Sequence, residues 1–177
     1  MDIKGILKRW LAGLSIESAP QELRVLLLRT GEWEMSGLPT DSWPLTSKGK
    51  QQAVEAGRRI KDLLSGETPT VLLSPSGKIC YRQTATIIAT VLGVEPVLSD
   101  LQHAPEWYEL AEAITFGGPL VVVVNGTYLN HQLFRLQGPD VSVSSLGPPF
   151  GSVHQLVITY RPATPFGYPT EVSRRFV

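Results

Sequence analysis

Two short polar segments that directly follow apolar runs carry the residues best suited to chemistry. The first is 29–32 (Arg-Thr-Gly-Glu), which comes after four consecutive apolar residues at 25–28, and the second begins at Asn125 after a run of valines. Short apolar runs bounded by turn residues are typical of strands buried on both faces. Open α/β sheets place their ligands at the carboxyl ends of such strands. Arg29, Thr30 and Glu32 are therefore expected at the mouth of a pocket.

The rest of the chain alternates between apolar runs and amphipathic segments, which predicts the elements that position these residues. Strands are predicted at 24–28, 71–73, 94–98, 120–124, 141–145 and 153–160, the third of them short and at an edge. Helices are predicted at 46–64, 79–92, 105–116 and 129–136. This alternation predicts an α/β fold, a three-layer α/β/α sandwich with a mostly parallel central sheet. Trp33 and Trp43, in the loop after the first strand, either line a pocket or cover the edge of the core.

The 177 residues fit one domain of ordinary size with a short segment at each end. We divide the chain into an N-terminal helix and linker at 1–19, a domain at 20–160 and an extended tail at 161–177. Apolar residues within 1–14 recur at spacings of three and four, which predicts an amphipathic helix. This helix either packs on its own domain or docks on a partner protein or a membrane surface. The docking candidates are Ile6, Leu7, Trp10 and Leu11.

Composition argues against several classes of function. Lys plus Arg equals Asp plus Glu at 16 each, whereas nucleic-acid binders usually carry a basic footprint. Cys80 is the only cysteine, so an internal disulfide is impossible and a reducing compartment fits the sequence. No apolar run approaches the roughly 20 residues of a spanning helix, and basic residues interrupt the apolar N-terminal segment, unlike a signal peptide. We expect no metal or cofactor and a cytoplasmic location, with peripheral contact to a membrane or a larger assembly as an alternative.

Four motifs occur in order along the predicted domain. A strand ends in Arg-x-Gly-Glu at 29–32, and a helix opens with Leu-Thr-x-x-Gly at 45–49. A strand ends in Ser-Pro at 74–75 and leads into a helix with Gln-Thr-Ala at 83–85, and the valine run ends in a turn at Asn125. In this order of motifs the chain resembles the histidine phosphatase superfamily, the fold of phosphoglycerate mutase, and most closely its short SixA-type branch. The resemblance implies the same sandwich fold with a phosphatase-like site.

The chemistry that the resemblance implies needs two histidines and two arginines. One histidine attacks phosphorus, the second donates to the phosphoryl oxygens, and the arginines neutralise the remaining charge. In this sequence Thr30 stands at the position of the nucleophile and Asn125 at that of the second histidine, so both histidines are replaced. Arg29 matches the first arginine, and Lys78 or Arg82 stands for the second.

Other side chains offer weak replacements for this chemistry. A threonine hydroxyl needs a nearby base to become nucleophilic, and the first motif offers only Glu32. Asn125 donates a neutral hydrogen bond but shuttles no proton. Glu106 and Glu109 correspond to the acid of the family by region alone. The three histidines of the chain, His103, His131 and His154, lie outside the motifs.

Two hypotheses of function follow from these residues. The first is a catalytically degenerate histidine phosphatase-like domain that acts by binding, in a regulatory role or within a complex. Its partner is a protein docked on residues 1–14, or a small molecule that bears phosphate. The phosphate-binding candidates are Arg29, Glu32, Lys78, Arg82 and Asn125. The alternative is an active phosphatase, on a phosphomonoester or phosphohistidine, with a non-standard nucleophile.

Overall fold

The computed structural model of the chain describes residues 21–35, 39–69, 71–75, 77–99, 119–137, 148–161 and 170–176. Three predicted elements lie outside these residues, namely the helices at 1–14 and 105–116 and the strand at 141–145. The docking candidates Ile6, Leu7, Trp10 and Leu11 lie outside them too, as do His103, Glu106 and Glu109.

Strands and helices alternate along most of the described chain. The strands are β1 (Gln21–Arg29), β2 (Val71–Pro75), β3 (Pro96–Ser99), β4 (Leu120–Val124), β5 (Val153–Arg161) and β6 (Thr170–Phe176). The helices are α1 (Ser47–Leu64), α2 (Ile79–Leu92) and α3 (Gly126–Gln137), with a single 3-10 turn at Thr40–Ser42.

The six described strands form one sheet in the order β3-β2-β4-β1-β5-β6. Neighbouring strands from β3 to β1 run parallel, whereas β5 pairs with β1, and β6 with β5, in antiparallel fashion. The valine run forms the central strand β4, and all five of its residues are buried. This position confirms the interpretation of that run as a strand covered on both faces.

Helices cover both faces of this sheet. Helices α1 and α2 pack on one face and form a continuous core with alternate residues of β1 and β4, such as Leu26, Leu28, Val121 and Val123. The intervening residues of these strands are buried as well and point to the opposite face, because side chains alternate across a strand. Helix α3 contacts β1 and β6, and its Leu129 is fully buried outside that core. The predicted α/β sandwich is confirmed.

The bounds of the helices follow their capping residues. Thr46 caps α1 as predicted, since its hydroxyl accepts a hydrogen bond from the backbone N–H of Gly49 at 2.9 Å. Helix α2 spans the predicted residues 79–92 and ends at Gly93, which adopts the left-handed conformation with φ of 71°. Helix α1 ends at Leu64, as predicted, and Ser65 after it takes the left-handed conformation with φ of 51°.

Two elements differ from their predictions. Helix α3 begins at Gly126, three residues before the predicted start at 129, because the side chain of Asn125 accepts a hydrogen bond from the Tyr128 N–H at 2.6 Å. Residues 170–176, predicted only as part of an extended tail, form β6 at the edge of the sheet. Composition did not predict this strand, because the prolines at 162–169 indicated an extended tail. The pairing of β6 with β5 is a long-range contact.

The first two motifs touch each other through their glycines. A Cβ atom at Gly31 would lie 2.3 Å from the carbonyl oxygen of Gly49, and a Cβ at Gly49 would lie 2.0 Å from the carbonyl oxygen of Glu32. Only the absence of both side chains lets the loop after β1 lie against the first turn of α1. The glycines of these motifs therefore hold the two segments in place and need no part in chemistry.

We predict that Gly49→Ala lowers the free energy of unfolding by about 1–3 kcal/mol, the usual cost of overpacking. The contact is with backbone atoms, which cannot rotate away as a side chain would. Urea unfolding of this variant and of Gly77→Ala measures the effect, since nothing lies within 4 Å of a Cβ at exposed Gly77. Equal stabilities of the two variants would contradict the close packing of the motifs.

Candidate functional site

The carboxyl end of β1 lies between β4 and the turn that leads into β5. The Thr30 N–H donates to the Val124 carbonyl at 3.1 Å, and the Arg29 N–H donates to the Ser152 carbonyl at 3.0 Å. The N–H of Gly151 donates back to the Arg29 carbonyl at 3.1 Å. These backbone bonds place Arg29 and Thr30 at the predicted edge of the sheet, with both side chains buried.

The guanidinium group of Arg29 is enclosed by its own chain. Its Nη1 donates a hydrogen bond to the carbonyl oxygen of Pro148, and its Cζ lies 4.0 Å from the ring centroid of Phe150. On another side it lies against Gly126, where a Cβ atom would approach the Cζ to 2.9 Å. Only 8% of Arg29 is exposed, and this burial lowers the pKa of its guanidinium from the ordinary value.

Phe150 is itself held from a second direction by Trp33. The two rings meet edge to face, with centroids 4.8 Å apart and an angle of 88° between their planes. Trp33 also packs against the core between the sheet and the helices α1 and α2, and its backbone bridges to Leu45. Of the two roles considered for this tryptophan, the structure shows coverage of the core edge. Trp33 thus contacts Phe150, and Phe150 in turn covers Arg29 at the end of β1.

Thr30 follows Arg29 in the chain and is completely buried, with 0% of its surface exposed. Its hydroxyl has no hydrogen-bond partner among the residues that the structure describes. Glu32, the base candidate of the motif, is bound elsewhere, because Lys48 Nζ lies 2.9 Å from its carboxylate and the Thr46 hydroxyl lies 3.5 Å from it. The geometry gives Thr30 no base in the described part of the chain.

Asn125 has two structural contacts. Its Oδ1 caps α3 through the Tyr128 N–H, and its side chain also hydrogen-bonds with Tyr81 of α2. Tyr81 is 6% exposed, and burial, followed by the influence of Cys80, raises its pKa to about 12. The charge of Arg29 acts on the same hydroxyl in the opposite direction. Arg29, Asn125 and Tyr81 therefore form one cluster.

The other predicted site residues are not part of this cluster. Glu32 faces α1, as described above, and Arg82 is exposed on α2, where it lines a groove with Lys50. Lys78 precedes α2 and is half-buried, and its charge acts on the thiol of Cys80, whose pKa is raised mainly by burial. Of the five phosphate-binding candidates, Arg29 and Asn125 lie together, and the other three lie apart from them.

Two histidines lie in the described residues and outside the cluster around Arg29. His131 is exposed on α3. His154 lies on β5, where its Nε2 is 3.2 Å from the hydroxyl oxygen of Ser152. Burial, and then the charge of Arg59, lower the pKa of His154 from the ordinary value of 6.5.

The Gln-Thr-Ala motif at 83–85 ties the other motifs together. The Gln83 Oε1 accepts a hydrogen bond from the N–H of Leu45 at 2.8 Å. The Thr84 hydroxyl accepts one from the N–H of Gly31 at 3.4 Å and donates one to the Cys80 carbonyl at 2.8 Å. These side chains hold the loop after β1 and the entry to α1 against α2.

Sequence reasoning missed Tyr81, Pro148 and Phe150. Tyr81 was within reach of it, because residues 81, 85, 88 and 92 follow the helical spacing that already predicted the buried stripe of α2. Pro148 and Phe150 lie in a stretch rich in glycine and proline without periodicity, so only the folded chain shows their contact with Arg29.

The described ranges hold no group of three His, Cys, Asp or Glu residues that could bind a metal ion. Within the same ranges, no helix combines the length and the apolar character that crossing a bilayer requires.

No family model and no curated protein matches this sequence. Solved structures match its fold. The putative phosphohistidine phosphatase SixA from Agrobacterium tumefaciens is 18% identical, with a TM-score of 0.58 over 85% of this chain and 96% of that one. A protein histidine phosphatase SixA complexed with tungstate is 12% identical, with a TM-score of 0.55 over 86% and 96% of the two chains. Phosphoglycerate mutase from Plasmodium falciparum is 19% identical, with a TM-score of 0.51 over 86% and 90%.

The chain therefore has the mixed α/β fold of phosphoglycerate mutase-like proteins, and SixA-like phosphatases are among its structural neighbours. At these identities the likeness concerns the fold. What the site does has to be argued from its own geometry.

We predict that Tyr81→Phe flattens the loss of stability at alkaline pH. A tyrosine ionises at about pH 10 in the unfolded chain, whereas Tyr81 keeps its proton to about pH 12 in the folded one. Its contribution is complete below the unfolded value and is lost as pH rises through the folded one.

Urea unfolding at about pH 8 and at about pH 11 measures this difference, since the wild-type chain should lose more stability between the two than the variant. At the lower pH the variant should be less stable by about 1 kcal/mol, the usual contribution of one hydrogen bond. Equal alkaline losses in both proteins would contradict a buried, neutral Tyr81.

Proposed function

We propose that this chain is a catalytically degenerate histidine phosphatase-like domain that acts by binding, in a regulatory role or within a complex. The observation that carries the proposal is the state of Thr30, which stands where the resemblance places the nucleophile. Its hydroxyl is fully buried and is joined to no base in the described chain. A hydroxyl without a base is a poor nucleophile at neutral pH.

The contacts of Arg29 support the same conclusion. Phosphoryl transfer depends on cationic donors that reach the equatorial oxygens of the phosphoryl group. One donor of Arg29 is directed at Pro148, and the ring of Phe150 covers a face of the guanidinium. A phosphate at this place would have to displace Phe150, so any anion binding that persists at Arg29 is weak in the resting structure.

The motif residues that match the resemblance make structural contacts. Gly31 and Gly49 allow a close backbone contact, Gln83 holds Leu45, and Thr84 holds Gly31. Thr30 and Asn125 stand at the two positions where the resemblance places the histidines that perform the chemistry. A fold that has these structural residues but lacks the two histidines suits a domain whose role is recognition.

The partner in this proposal is another protein, with a phosphate-bearing small molecule as the second candidate. Docking through residues 1–14 belongs to the same proposal and is tested by deleting 1–19. A partner that depends on this segment should be lost, while the melting temperature of the domain stays nearly unchanged. Loss of folding on deletion would show that the segment belongs to the core.

Phosphate release by Thr30→Val tests the absence of catalysis. Valine keeps the shape of threonine and removes a buried hydroxyl that has no partner in the described chain, so stability should stay equal or rise by about 1 kcal/mol. With an aryl phosphate and a phosphohistidine peptide at high protein concentration, we expect the wild-type chain and the variant to give the same background rate.

Turnover that disappears in Thr30→Val, while the variant melts like the wild-type chain, would contradict the proposal and establish the alternative. That alternative is an active phosphatase with a non-standard nucleophile. Arg29→Ala serves as a second variant, with its melting curve measured alongside because its guanidinium is buried. Turnover that depends on Arg29 but not on Thr30 would contradict the proposal as well.

A further inference from the structure

Helix α2 has a second stripe of residues beside its buried one, and this stripe lines a groove. Together with Lys50 of α1, it lines an open groove of about 500 Å³. Along α2 the lining residues recur at spacings of three and four, which places them on one side of the helix. They are Ile79, Arg82, Gln83, Thr86 and Ile87.

The charge of this groove has one sign. Lys50 and Arg82 are its charged lining residues, and both are exposed. Among the described residues, the ion pairs join Arg24 to Glu67 and Lys48 to Glu32, so neither groove cation has a carboxylate partner there. A ligand with a carboxylate would supply the missing charge.

The floor of the groove is apolar and fixed. Ile79 and Ile87 are partly buried, and Ile87 packs against the core behind it. Gln83 is held by the hydrogen bond that its Oε1 accepts from Leu45, which leaves the donors of the same amide for another partner. A preformed floor of this kind lowers the entropic cost of binding an apolar side chain.

The length of the stripe matches a short peptide. From Ile79 to Ile87 the helix rises about 12 Å, because each residue adds about 1.5 Å. An extended chain covers this distance with roughly three or four residues, at about 3.3 Å each. Such a segment is long enough to offer one carboxylate to the cations of the groove and one apolar side chain to the isoleucines.

We propose that the groove lined by Lys50, Arg82, Ile79 and Ile87 binds a short segment of a partner protein that carries both acidic and apolar side chains. The proposal rests on the proposed function, because it assigns the recognition role of the domain to a surface. This surface is distinct from the cluster of Arg29, Tyr81 and Asn125, and Arg82 acts here as a peptide ligand rather than as a phosphate clamp.

Fluorescence anisotropy with a labelled peptide of alternating aspartate and leucine tests the proposal. A labelled peptide of alternating lysine and leucine is the control of opposite charge. The wild-type chain should bind the acidic peptide and not the basic one. Lys50→Glu and Arg82→Glu should each weaken this binding by about tenfold or more. Lys61→Glu, the same change at an exposed site of α1 outside the groove, should leave it unchanged.

Ile79→Ser tests the apolar floor and should also weaken binding, with its melting curve as the control for folding. Equal binding of both peptides would overturn the proposal. An equal loss of affinity for the acidic peptide in Lys61→Glu and Arg82→Glu would overturn it as well. So would displacement of the peptide by millimolar inorganic phosphate through the same two cations, because that result identifies a small-anion site.

Failure of this proposal and failure of the proposed function are distinguishable. Absence of peptide binding, with background phosphate release, overturns the groove alone. Turnover that requires Thr30 overturns the proposed function. Even in that case, peptide binding that is lost in Arg82→Glu supports the groove as a peptide site.

Discussion

The burial of the Arg29 guanidinium is the constraint on which the candidate site depends. A cation removed from water is costly unless its donors and its charge are compensated. This chain compensates it with the carbonyl of Pro148, the ring face of Phe150 and the space that Gly126 leaves open. The end of β1, the turn before β5 and the start of α3 are thereby joined at one point.

This arrangement gives Arg29 structural contacts at the carboxyl end of β1. Around it, Asn125 caps a helix and contacts Tyr81, and Thr30 is sealed in the interior. The contacts of Arg29 and Asn125 come from the chain itself, whereas the Thr30 hydroxyl has no hydrogen-bond partner among the described residues. The groove lined by Lys50 and Arg82 lies instead between α1 and α2, and we propose that the domain recognises a partner there.

Most of the fold could be predicted from local patterns, because buried strands appear as short apolar runs and amphipathic helices as apolar residues at spacings of three and four. The span of α2, the cap at Thr46 and the central position of 120–124 were all accessible in this way. The cover over Arg29 was not, since Phe150 lies far away in the chain and in a segment without periodicity. A motif could place Arg29 at the edge of the sheet, but the direction of its donors depends on this long-range packing.

The most direct test of a closed arginine site is a titration with tungstate, a phosphate-like oxyanion, read out as the melting temperature. We predict no shift for the wild-type chain, and a rise of about 2 °C or more for Phe150→Ala, in which Arg29 loses its cover. Met35→Ala, the truncation of an exposed apolar side chain, should behave like the wild-type chain. A rise in the wild-type chain that Arg29→Lys abolishes would contradict the account, because it would show an arginine already open to an oxyanion.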